Sequence, residues 1–343
     1  MTDVDVAVVG VGVMGAATAW SLARAGREVL MLEQFDIGHR RGSSHGASRI
    51  FRLSYEDPRF VRMAQEAHPK WRALEAASGR TLLTRTGGLD IGEKLEEHAR
   101  ALKECGAPFE QLNGDEVAGR FPHVSRSVGP ALFQPDGGIV AADDAVRAFV
   151  DSATAAGGTV LERTPVMALH DRGERVEIRT DAETYRARIA VVTAGAWAAK
   201  LLAGAGIRLP TRPTRETVAY FRVDDDGPLP AVVDWGTPAV YSLPSPGQGL
   251  KAGEHRAGPD TDPEREGSPD DSSVARISSW VRDRFPAADP KPHLTETCLY
   301  TNTADEGFIL ERHGAIVVGS ACSGHGFKFA PVIGDRLAAL ARS

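Results

Sequence analysis

The sequence predicts an α/β fold, and three observations carry that expectation. An apolar, β-branched run over residues 4–9, broken only by Asp5, leads into a glycine-rich turn, a helical segment and a second apolar run, as in a parallel βαβ unit. Strand-like and helix-like segments alternate again over residues 143–205 and 315–341. The length of 343 residues, set against roughly 150 per domain, gives a prior of two domains.

The first strand is followed by Gly10-Val11-Gly12-Val13-Met14-Gly15. Residues 16–25 then read as a helix stopping at Gly26, and residues 28–32 as a second strand closed by Glu33, 18 positions after Gly15. Each part of this G-x-G-x-x-G turn has a physical task. Gly10 permits the tight turn, Gly12 lets backbone approach a pyrophosphate, and Gly15 allows close packing of helix on strand. The helix start would face phosphates with free N–H groups and its positive dipole end. Glu33 can accept hydrogen bonds from a ribose 2′-OH, and its charge disfavours a 2′-phosphate. The pattern indicates a dinucleotide site without separating FAD from NAD.

Further along, residues 143–156 read as a helix, with Asp143 or Asp144 near its start and Gly157-Gly158 at its stop. Short strands are expected at 159–162 and 166–169, and a hairpin at 176–179 and 185–192 around Asp181. The last of these runs through Thr193, Ala194 and Gly195 into a further helix. An apolar strand at 315–319 and a helix at 332–341 end the chain. Residues 80–140 look loop-rich, and 216–300 alternate strands with Pro and Gly breaks. Residues 253–273 hold seven acids and read as a solvated surface loop. The implied organisation interleaves two domains. One is built from 1–79, 141–215 and 301–343, the other from 80–140 and 216–300, with a ligand site between them.

Composition excludes several classes. Apolar residues at 42% and charged residues at 25%, with 36 Gly and 21 Pro, set aside disorder, collagen and coiled coil. A net charge of −6 gives no footing for a nucleic-acid binder. Three cysteines cannot form a disulfide framework, which favours a reducing cytoplasm. No membrane span is expected, because the apolar stretches at 4–20 and 189–206 are interrupted by Asp5 and by Lys200. Asp3 and Asp5 precede any basic residue, the reverse of a signal peptide.

Three clusters combine glycines with cationic or titratable side chains: GSSHGASRIFR at 42–52, LKAGEH at 250–255 after Tyr241, and TCLYTNTADEGFILE at 297–311 with SGHGFKF at 323–329. Together with GVGVMG at 10–15 and VVTAGAW at 191–197, they make the chain resemble, along nearly its whole length, the monomeric sarcosine oxidase and N-methyltryptophan oxidase family of FAD-dependent amine oxidases. Glycine oxidase and D-amino-acid oxidase are more distant relatives. The resemblance implies a Rossmann-like FAD-binding domain interleaved with a mixed-sheet, α+β substrate domain. It also implies an FAD cofactor, an amino-acid substrate, O2 as acceptor, a monomer and a cytoplasmic location, with no nucleic acid and no membrane as partner.

The residue roles below are those implied by the resemblance. Cys298 matches the cysteine that forms a thioether to the flavin 8α-methyl group, whereas Cys105 and Cys322 have no such match and are expected to be structural. Arg52 and Lys328 match the pair that holds the substrate carboxylate, a planar fork beside a point charge. Tyr241 and Tyr300 match aromatic residues of the substrate cavity. Arg49 and Lys251 match cations beside the isoalloxazine ring, where fixed positive charge stabilises charge that develops during the reaction. Oxygen activation is assigned to the lysine matched by Lys251. His45, His255 and His325 match active-site histidines. Val13, Met14, Ser43, Ser44, Val166, Gly195, Gly324, His325 and Gly326 are expected to face the cofactor. The chain ends 15 residues after Lys328, where relatives continue, so less packing of the last helix is expected. Glu254, between Gly253 and His255, is expected to change the charge at the cavity entrance.

The expected reaction needs the amine in its neutral form, since the nitrogen lone pair must drive electrons to flavin. Burial against Arg49, Lys251, Arg52 and Lys328 disfavours the ammonium form, so no dedicated carboxylate base is required. Alternatives on the same scaffold are oxidation of a cyclic imino acid such as pipecolate or proline, an FAD dehydrogenase with a non-oxygen acceptor, and a non-catalytic flavin binder. Lys251 speaks against the second of these, and Arg52, Lys328 and Cys298 against the third.

Overall fold

The computed structural model describes residues 2–224 and 227–342. Its first eight-stranded sheet is built around the N-terminal strand Thr2–Val9, which pairs in parallel with Val29–Leu32 on one side and Thr184–Val192 on the other. Val6, Ala7 and Val8 are wholly buried, as the central strand of a parallel sheet should be. Val29–Leu32 carries Thr159–Leu161 in parallel, and Thr184–Val192 carries Ile316–Ser320. Val166–Asp171 and Val176–Thr180 extend the edge as antiparallel strands.

The glycine turn packs as tightly as its spacing implies. A Cβ at Gly15 would sit 2.0 Å from the Gly10 carbonyl oxygen, so any side chain would push the helix Val13–Ala23 off the first strand. That helix lies against Ala142–Ala155 on one side and the last helix, Ala330–Arg342, on another. The last helix is closely packed, with Val332, Ile333, Leu337 and Ala338 fully buried. Asp335 ties the helices together, accepting from Ser21 Oγ (2.7 Å), Arg24 Nη2 (2.7 Å) and Lys70 Nζ (2.6 Å).

The second eight-stranded sheet is mixed. Its order is Leu294–Asn302, Arg212–Phe221, Gly249–Glu254, Val240–Ser245, Ala231–Asp234, Gly88–Ile91, Ala131–Gln134 and Glu110–Leu112. All of these pairs are antiparallel except Ala231–Asp234 with Gly88–Ile91. A small sheet of Arg49–Phe51, Gly138–Val140 and Leu83–Arg85 lies apart from both. The chain therefore crosses repeatedly between the two large sheets.

Three sequence readings need correction. Residues 80–140 are not loop-rich: they hold five short strands and the helices Leu95–Glu104 and Gly114–Arg120. The longest helix, Pro58–Ser78, was not expected at all. Pro69 interrupts its apparent pattern, yet Val61, Ala64, Ala67, Trp71 and Leu74 still fall on one buried face, and Asp57 caps its start. Glu254 does not belong to a surface loop. It ends a strand at 2% exposure, and its carboxylate accepts from Arg276 (2.6 and 2.8 Å) and Ser273 (2.5 Å). Its charge is neutralised by the helix Asp271–Arg284 and does not alter the cavity entrance.

Candidate active site

A single cavity of about 440 Å³ runs from the glycine turn at residues 9–14 to Lys328. At one end Glu33 is 4% exposed and accepts the Val11 N–H (2.8 Å) and the Phe35 N–H (3.1 Å). Ser44 Oγ accepts the Val13 N–H (3.0 Å), and the cap residue Gly12 brings no side-chain cap to the helix N–H groups that follow. Val13, Met14, Ser43, Val166 and Gly195 line the same space. The fit to an FAD is supported by this helix start, the buried acid beside it, and a cavity that continues from there to Lys328. Deeper in, both ring nitrogens of buried His45 and the hydroxyl of Ser48 have no hydrogen-bond partner.

Arg49 starts the first strand of the small sheet and folds back over its own loop. Its guanidinium donates to the carbonyls of Ser48 (2.9 Å), Ser43 (3.0 Å) and His45 (2.6 Å), which fixes the 43–48 turn. Lys251, on the strand Gly249–Glu254, converges on the same spot: a Cβ at Gly46 would lie 3.3 Å from Arg49 Nη1 and 3.8 Å from Lys251 Nζ. Burial, then the Arg49 charge, brings the Lys251 ammonium down to about 7. The same two causes lower His45 to about 3, so its imidazole is neutral. Cys298 lies on Leu294–Asn302 and also lines the cavity, and burial raises its thiol. Cys322, expected to be structural, also reaches the cavity wall, where its sulfur accepts the Thr301 N–H (3.3 Å).

The far end is built by the loop before the last helix. Lys328 is 4% exposed, and its Nζ donates to the Tyr55 hydroxyl (2.9 Å) and the His325 carbonyl (2.6 Å), leaving one N–H over. Burial, then Arg52, holds its ammonium well below the usual lysine range. Burial and Lys328 bring His325 to about 3. That neutral ring places its proton on Nε2, which donates to the Glu306 carbonyl (3.0 Å), and Nδ1 accepts from Tyr55 (3.3 Å). Arg52 stacks on the Tyr55 ring at 3.9 Å and on the Trp235 ring at 5.0 Å.

Tyr241 and Tyr300 project into the cavity from two strands of the second sheet, and burial raises both phenols. Gly324, at φ +76°, makes room for Tyr300 and His255: a Cβ there would lie 2.2 Å from the Tyr300 ring and 2.9 Å from the His255 ring. His255 Nε2 stands 3.7 Å from Glu306, whose carboxyl is held at about 2, chiefly by that imidazole. All residues singled out from sequence therefore meet in one cavity except Gly15, which packs behind it. Sequence reasoning missed Tyr55 and Trp235. Each is an isolated aromatic, and only the fold shows that they sandwich Arg52.

A family model described as FAD dependent oxidoreductase matches residues 5–340. The chain belongs to this family. It is 36% identical to the peroxisomal sarcosine oxidase of Homo sapiens, covering 97% of this chain and 90% of that protein. It is 34% identical to the monomeric sarcosine oxidase of Bacillus sp. (strain B-0618), covering 99% and 92%. Among solved structures it is similar to the open form of NikD, an unusual amino acid oxidase essential for nikkomycin biosynthesis. That match has 30% identity and a TM-score of 0.90 and covers 99% of this chain and 94% of the other. FAD is accordingly the cofactor that the helix start and Glu33 suit. No helix among the described residues is long and apolar enough to cross a membrane.

Proposed function

We propose that this protein oxidises the C–N bond of a small N-methyl or α-amino acid of the sarcosine kind to an imine, with dioxygen as acceptor and hydrogen peroxide as product. The observation that carries this reading is the alignment of two cation pairs along one cavity. Arg49 and Lys251 lie nearer the glycine turn, and Arg52 and Lys328 close the far end. The sarcosine oxidases among its relatives and the retained TCLYTNT and SGHGFKF segments support the substrate class.

Bound FAD supplies the two-electron acceptor for the substrate and passes the pair to dioxygen. The turn from Gly10 to Gly15 and the helix after it would hold its pyrophosphate, and Glu33 its ribose. Ser43, Ser44, Val166, Gly195, Gly324 and Gly326 would border the rest, with Cys298 as the attachment point. Arg52 and the remaining N–H of Lys328 hold the substrate carboxylate. His45 and His325 stay neutral and so add no charge, and His45, whose ring nitrogens have no partner, can orient the amine. The surrounding cations disfavour an ammonium, leaving the nitrogen lone pair free. Water then hydrolyses the imine. Lys251 supplies the fixed positive charge where dioxygen is reduced.

The protein is further proposed to act as a monomer in the cytoplasm, although the human relative is named peroxisomal. The test is a panel of sarcosine, N-methyltryptophan, proline and pipecolate with peroxide as readout. Peroxide from sarcosine is expected. Peroxide from proline or pipecolate alone would favour a cyclic imino acid as substrate, and none from any amine would overturn the oxidase reading.

A further inference from the structure

Behind the cavity wall lies a buried polar cluster that the reaction does not use. Asp90, on the strand Gly88–Ile91, is 1% exposed. Its Oδ1 accepts the indole N–H of Trp235 (2.9 Å), and its Oδ2 accepts from the Gln134 side-chain amide. Gln134 is oriented by its other end, where Oε1 accepts the backbone N–H groups of Leu53 (2.8 Å) and Ser54 (2.7 Å). The Ser54 hydroxyl pairs with His98 Nδ1 at 2.7 Å, and the His98 ring packs edge-on to Trp235 at 4.8 Å.

These contacts converge on Arg52. The guanidinium is sandwiched between the rings of Trp235 and Tyr55, and it donates to the Ser54 carbonyl. Both supports, the indole and the backbone at residues 53–54, therefore hang from one carboxylate that makes no hydrogen bond to Arg52, although its charge acts on the guanidinium, and that does not line the cavity. A buried carboxylate is costly unless its lone pairs are used, so such an arrangement is expected only where it holds something in place. We propose that Asp90, acting through Trp235 and Gln134, is the positioning residue that aims Arg52 at the substrate carboxylate. This rests on the carboxylate role given to Arg52 above.

The chemistry selects the variant. Gln134 presents its NH2 to Asp90, because its oxygen is already occupied by two backbone donors. Trp235 presents only an N–H. Gln134 and Trp235 are thus both donors, with the Ser54 hydroxyl a third beside them, and an Asn at this position has one acceptor to offer them. Asp90→Asn therefore breaks one of the two links while keeping the shape, and Trp235→Phe keeps an aromatic face over Arg52 while breaking the indole link.

The experiment uses flavin-loaded protein and acetate as a carboxylate probe, followed by the change it causes in flavin absorbance, with KM and kcat for sarcosine measured alongside. Asp90→Asn should weaken acetate and raise KM by about the same factor, near tenfold, with kcat within about twofold. Trp235→Phe should shift both in the same direction, and the double variant should be no weaker than Asp90→Asn alone by more than about twofold. Unchanged acetate affinity and KM in either folded variant, or a fall in kcat with KM unchanged, would overturn the proposal. Should Asp90→Asn fail to fold, Trp235→Phe decides the matter. Wild-type protein that ignores acetate would instead overturn the carboxylate role of Arg52 and Lys328, which separates the two failures.

Discussion

Lys251 and Arg49 meet beside Gly46, and their closeness, together with burial, brings Lys251 to about 7. A lysine so placed is cationic below that value and neutral above it. The reaction with dioxygen should therefore weaken as pH rises through and above 7, shifted upward by any anionic neighbour. Flavin reduction by substrate should instead speed up with pH, since the neutral amine is the reactive form. Stopped-flow measurement of the two half-reactions from pH 6 to 10 checks both slopes, and a flat profile for flavin reduction would count against electrostatic control of the amine. Lys251→Met should slow reoxidation by about 100-fold while leaving anaerobic reduction within severalfold. Cys298→Ser should release into solution a flavin that otherwise stays with the acid-denatured chain on a gel. The residues behind these predictions were readable in the sequence because they sit within short motifs. Asp90, Gln134 and Trp235 were not, since 44 and 145 positions separate Asp90 from Gln134 and Trp235 and only the second sheet brings them together.

Secondary elements were legible where periodicity was local and uninterrupted. The βαβ start, the hairpin around Asp181 and the last helix follow from apolar runs bounded by glycine. Residues 80–140 were opaque because their strands are only three or four residues long, too short for alternation to register. The helix Pro58–Ser78 was hidden by Pro69, although its buried face keeps helical spacing. Glu254 looked like part of an acidic loop because its partner Arg276 lies a turn into the next helix. The packing of three helices around Asp335 gives a direct test at this scale. Asp335→Ala removes the acceptor for Ser21, Arg24 and Lys70 and should cost about 1–2 kcal/mol, read as a lower Tm with the flavin site intact. An unchanged Tm would mean that the apolar faces alone hold these helices.

Across the whole molecule, chain crossings between the two large sheets bring residues from both ends of the sequence to one cavity. A net charge of −6 conceals the cations gathered there. Burial of neutral histidines has a further global effect. His45, His98 and His325 are each lowered to about 3. Between pH 6.5 and 3 the unfolded chain binds protons at these positions that the folded chain does not. Stability should therefore be full above pH 6.5 and fall as pH drops below it, by up to about 1.4 kcal/mol per pH unit for each histidine. Thermal melts from pH 7.5 to 5 check this, and a Tm independent of pH over that range would contradict it. The central claim concerns the cavity's chemistry, and anaerobic mixing of the purified yellow protein with sarcosine tests it most directly. Complete bleaching of the flavin, followed by one hydrogen peroxide per flavin on admitting air, is the predicted result. A flavin that stays oxidised under sarcosine, or one that bleaches and then regains its colour only with an artificial acceptor, would contradict it.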